Sequence, residues 1–171
     1  MGSINYTPRD WASGLLVTDA ILDTEIRDPF TQLQAAWTAW TPSPALTAIS
    51  GTNPTMGNST VVGATHQMGK TILWRLRITL GSTFAAGSGT YLLALPFSIN
   101  GVLSSEDPIA FGQVLAGGTR RAIQVYAYSA TTGFMVRTSS EADLTSSGPG
   151  VAWAAGQVIS LTGVYLSLIH I

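Results

Sequence analysis

Between Thr71 and Leu80 the side chains alternate: Ile72, Trp74, Leu76, Ile78 and Leu80 fall on one face, Leu73, Arg75, Arg77 and Thr79 on the other. A period of two belongs to an extended strand with one face buried. The surrounding stretch, residues 57–97, reads as three strands joined by glycine turns. Met68-Gly69-Lys70 makes 59–67 and 71–80 a hairpin, because glycine there can take the positive φ of a tight turn. Further strand patterns lie at 45–50, 90–97, 109–115, 121–129, 133–138 and 157–169, separated by clusters such as Ala86-Gly87-Ser88-Gly89 and Ser146-Ser147-Gly148-Pro149-Gly150. Strands at this spacing predict an all-β fold, a two-sheet antiparallel sandwich of jelly-roll type.

Ahead of the strands the period changes. Thr18 is placed to cap a helix, Asp19 and Asp23 stand in early turns where the helix dipole favours carboxylates, and apolar residues recur at Leu22, Ile26, Phe30, Leu33, Trp37 and Trp40. Their spacing approaches the 3.5 of a heptad seam. Two readings follow: a self-associating helix that ties copies together about an axis, or an amphipathic helix lying on its own β-domain. Pro29 must kink or split the helix, or start a second short one with Asp28 as cap. Residues 1–17, with Pro8, Gly14 and Trp11, predict an extended arm. The expected organisation is an arm and helix over 1–40 and a β-sandwich over 41–171, with the boundary near Thr41-Pro42-Ser43-Pro44.

Composition narrows the class. Hydrophobic residues make up 46% of the chain and charged ones only 10%, against roughly 25% charged in ordinary soluble domains. Residues 1–28 hold 2 basic and 5 acidic groups, a net of −3, and the rest 6 basic and 4 acidic, a net of +2. A body so poor in charge suits sheets covered by other subunits. It lacks the clustered Lys and Arg that phosphate binding needs, Arg120-Arg121 being its only basic doublet, which argues against nucleic acid as a partner. There is no cysteine, hence neither disulfide nor thiolate chemistry. The opening MGSINYTPRDW lacks the basic-then-apolar order of a secretory signal, and no apolar run approaches 18 residues, so neither cleavable export nor a membrane span is expected.

Reactive constellations are hard to assemble. Gly63 to Thr71 ends in Gly-Lys-Thr like a phosphate loop, but five residues separate its glycines where the motif has four, and a strand follows instead of a helix. His66 and His170 lack partner ligands at metal-site spacing. A metal on a trimer axis, with one histidine supplied three times, is the single version left open. Glu106-Asp107 would point to opposite faces of a strand, no G-x-S-x-G elbow occurs, and Asn58-Ser59-Thr60 reads as turn sequence. No catalytic, cofactor-binding or metal residue is assigned, and the chain is not expected to be an enzyme. Tyr126 and Tyr128, on one face with Gln124, and Trp153 are the candidate contacts for a glycan, since exposed aromatics beside polar groups stack on sugars; they equally pack subunit interfaces.

Two blocks of residues resemble a known group. Trp11, Gly14, Val17-Thr18, Leu22, Ile26-Arg27-Asp28 and Leu33 form the first. The second comprises Gly57-Asn58-Ser59-Thr60, Gly63, Met68-Gly69-Lys70-Thr71, Gly81-Ser82-Thr83, Gly87-Ser88-Gly89-Thr90 and Leu95-Pro96-Phe97. Both are similar to the small structural proteins of tailed bacteriophages, especially those of actinobacterial phages, of the minor tail, fibre or capsid decoration type. Pro29 departs from that pattern, standing where the helix of such proteins continues. The resemblance implies a virion component, a homotrimer on the capsid or the tail. The expectation is a surface-displayed capsid decoration or head-fibre protein docked through Trp11, Leu22, Ile26, Phe30, Leu33, Trp37 and Trp40. The rival is a tail fibre or minor tail protein whose β-domain binds a host receptor or glycan.

Overall fold

A computed structural model describes residues 16–99, 107–129, 134–138, 144–148 and 152–167. Trp11, His170 and Glu106 lie outside this set. The fold is all-β and sandwich-like, preceded by one short helical segment.

The helical segment begins where the sequence places it. Thr18 accepts the Ile21 amide on both its carbonyl oxygen (3.0 Å) and its hydroxyl oxygen (3.4 Å). An α-helical turn α1 (Asp19–Leu22) leads into a π-helical turn (Asp23–Arg27) and a second α-helical stretch α2 (Asp28–Leu33). Pro29 therefore does not end the helix. Proline cannot donate to the carbonyl four residues back, and the chain widens just before it, the Asp28 amide bonding to the Asp23 carbonyl.

The helical spacing continues through Trp37 and Trp40 in sequence, but the helix stops at Leu33. Thr38–Trp40 is instead an edge strand, β1, paired with β3 (Thr60–Met68). Tertiary burial overrides the local period here: the Trp40 ring meets the Trp74 ring edge-on at 6.0 Å. Gly63 makes room for it, since a Cβ there would stand 2.5 Å from the Trp40 carbonyl oxygen.

After β2 (Leu46–Ala48) come β3, β4 (Thr71–Thr79), β5 (Tyr91–Leu93), β6 (Pro108–Ala116), β7 (Thr119–Ala127), β8 (Phe134–Thr138) and β9 (Val158–Leu166). Among the described residues every pairing is antiparallel, and the nine strands run β1-β3-β4-β9-β6-β7-β8-β5-β2. Within that order β9-β6-β7-β8 is a Greek key, the connection from which jelly rolls are built. The two edge strands, β1 and β2, are joined by residues 41–45 alone, so the sheet curls until its ends approach. Inward residues from both ends share one core, with Trp74, Ile72, Ile78, Tyr91, Leu46 and Val125 among its fully buried members.

The β3–β4 hairpin turns on Gly69-Lys70, with Met68 opposite Thr71 and Gly69 at φ 57°. On β4 the inward residues are buried and Arg75 and Arg77 exposed, as the alternation demands.

Candidate interaction surface

Among the described residues two apolar surfaces are left uncovered. The first is the helical stripe, where Leu22 is 41% exposed, Ile26 47%, Phe30 60% and Leu33 57%. A stripe of this width ordinarily faces a partner or a core. Beside it the charges are tied up locally: Arg27 bonds Asp23 at 2.7 Å and Asp28 at 3.2 Å.

The second is the outer face of β3, β4, β9 and β6. The register sets Val62 opposite Arg77 and Ala64 opposite Arg75, and carries both rows across β9 to Ser160 and Thr162. Phe111 of β6 stands next to Thr162. Small residues between large ones leave a depression of about 350 Å³ lined by Val62, Ala64, Arg75, Arg77, Ser160 and Thr162. On the same face Val62, which lines it, and Phe111 and Val164 each leave more than half of their surface exposed.

At the rim sits Trp37. Its ring lies 6.0 Å from that of His66, and the Arg75 guanidinium stands over it at 5.2 Å. This cation–π contact holds Arg75 in place without neutralising it. Among the described residues neither Arg75 nor Arg77 has a carboxylate within salt-bridge distance.

The docking residues named from sequence thus divide. Leu22, Ile26, Phe30 and Leu33 share the exposed stripe, Trp37 belongs to the rim of the sheet face, and Trp40 packs against the core. The glycan candidates do not share one surface either. Tyr128 is 43% exposed just beyond β7. Tyr126 is half-buried with its hydroxyl on Gln124. Trp153 stacks on Tyr91 at 6.0 Å and donates its indole N–H to the Thr145 carbonyl at 2.9 Å.

Val62, Phe111 and Val164 were not singled out from sequence. Each could be assigned a face by alternation, but only the non-local register shows that these faces adjoin.

Among the described residues no group of three His, Asp or Glu side chains could share a metal ion, and no helix is long and apolar enough to cross a membrane. The Gly63–Thr71 segment is a β-hairpin with Lys70 exposed at its tip, not the strand–loop–helix that cradles phosphate. No protein-family model, curated protein or solved structure matches the chain.

Proposed function

We propose that the chain is a non-enzymatic structural component of a phage virion, displayed as a homotrimer on the capsid surface and attached through its N-terminal arm. The observation that carries this reading is the stripe of Leu22, Ile26, Phe30 and Leu33, four large apolar side chains left in solvent on one short helix. Exposed apolar groups so closely grouped mark an interaction site. The charge-poor β-body and the two blocks of residues similar to tailed-phage structural proteins point the same way.

The experiment is binding to purified virions of the phage that encodes the chain. The full chain should be retained on particles and be seen on the capsid by electron microscopy. A variant with Ile26→Glu and Phe30→Glu should be lost from them. Equal retention of both proteins contradicts the proposal.

A second reading, a tail protein that contacts a host glycan, is favoured by the exposed ring of Tyr128 just beyond β7. Saturable sugar binding that is lost on Tyr128→Ala would select it.

A further inference from the structure

We infer that the helical segment of one copy lies across the outer face of the β3-β4-β9-β6 sheet of a second copy, its acidic side on Arg75 and Arg77. This rests on the self-association put forward above and names the surfaces that meet.

Charge is the first ground. Asp19–Leu33 carries Asp19, Asp23, Glu25 and Asp28 against Arg27 alone, a net of −3. The four strands of the sheet face contain no acidic residue, while Arg75 and Arg77 stand exposed on its central strand. Neither has a carboxylate partner among the described residues. Successive outward residues on a strand are about 7 Å apart, so the two guanidinium groups form a short basic row in an apolar setting. Complementary potentials fix register and partner choice at such contacts.

Shape is the second ground. Asp19–Leu33 is roughly 22 Å long at 1.5 Å per residue, and nine-residue strands extend roughly 30 Å, so the segment fits within the face when it runs along the strands. The stripe of Leu22, Ile26, Phe30 and Leu33 meets Val62, Phe111 and Val164, and the depression of about 350 Å³ beside Val62 receives one of its side chains. Each surface supplies what the other leaves uncovered.

The alternative, a bundle of helices on a symmetry axis, is electrostatically poorer. Three copies would gather three times the net −3 about one axis, with Arg27 already engaged by its neighbours Asp23 and Asp28. It would also leave the sheet face bare. A helix-to-sheet contact is heterologous, and three such contacts close a ring when the rotation is threefold.

The absence of cysteine makes the test direct. Phe30→Cys protein is mixed with separately tagged Val62→Cys, Phe111→Cys or Val164→Cys protein under mild oxidation, and mixed disulfides are scored on a denaturing gel. In parallel, the mass of full-length Arg75→Glu/Arg77→Glu protein is followed by light scattering across a dilution series. Mixed cross-links between the helix and at least one sheet position are expected. The double reversal should raise the dissociation constant at least about tenfold, as like charges are brought together, and Asp19→Lys/Asp23→Lys should recover part of that loss.

Cross-links of Phe30→Cys only with itself, together with an unchanged mass for the arginine variant, overturn the helix-to-sheet contact while leaving self-association standing. No cross-link at any of the three sheet positions overturns it as well. A wild-type chain that is monomeric throughout overturns both this contact and the homotrimer.

Discussion

Gly163 faces Trp74 across the β4–β9 ladder, and a Cβ at position 163 would stand 2.5 Å from the indole nitrogen and 2.6 Å from the Ile109 carbonyl oxygen. The glycine is required by space. Its missing side chain is what allows the largest core residue, fully buried, to lie flat against the neighbouring strand.

Gly163→Ala is therefore expected to destabilise the fold by about 1–3 kcal/mol, the usual cost of overfilling a packed core. Urea denaturation measures this as a lower midpoint at unchanged slope. An unaltered midpoint would show that Trp74 has room to shift.

Strands of this kind were legible because alternation is a local property: Ile72 to Leu80 declares its buried face without knowledge of what covers it. β1 was not legible. Trp37 and Trp40 prolong the helical spacing of Leu22 to Leu33, and what turns Thr38–Trp40 into a strand is the edge of β3 and the Trp74 ring, both distant in sequence. The same limit applies to the interaction surface. Arg75 and Arg77 announce themselves as outward-facing, whereas the neighbours that complete their surface, Val62, Phe111 and Val164, arrive through pairings fixed only in the folded chain.

Asn58 links the start of β3 to the turn after β4. Its side-chain oxygen accepts the Thr83 amide at 3.0 Å and hydroxyl at 2.9 Å, and its side-chain amide donates to the Ser82 hydroxyl at 3.1 Å. Asn58→Ala should cost about 0.5–1.5 kcal/mol, the usual net worth of a lost hydrogen bond, because the Thr83 amide it frees is exposed to water. Amide exchange at Thr83 should quicken more than the global loss of stability explains. Exchange that tracks global stability alone would mean that water replaces the asparagine.

Two buried tyrosines set an alkaline limit. Burial pushes Tyr91 up from 10.0 to about 12, outweighing the lowering effect of the neighbouring Trp153 side chain. Burial also raises Tyr165, against the lowering effect of its bond to the Phe97 backbone. A raised folded value means that the neutral phenol is favoured in the fold. The stability it provides is complete below about pH 10 and is lost as pH rises from there through the folded values. Thermal midpoints should hold through neutral pH and fall above pH 10, and Tyr91→Phe should fall less steeply there. An identical slope in that variant would remove Tyr91 from the explanation.

On the helix, Ile26→Glu and Phe30→Glu place charge in the apolar stripe without touching the core. Both positions are exposed, so the stability of the dissociated chain should change by less than about 0.5 kcal/mol, while the assembly comes apart and the stabilisation it lends is lost. Far-ultraviolet dichroism alongside light scattering separates the two effects. A large loss of strand signal would place the stripe inside the fold.

Burial of the uncovered apolar stripe against further copies of the chain can be read from the solution mass of the full-length protein at sedimentation equilibrium. A discrete species at three times 17.9 kDa is expected, falling to 17.9 kDa in the Ile26→Glu/Phe30→Glu variant. A wild-type protein that sediments as a 17.9 kDa monomer over the whole concentration range would contradict it.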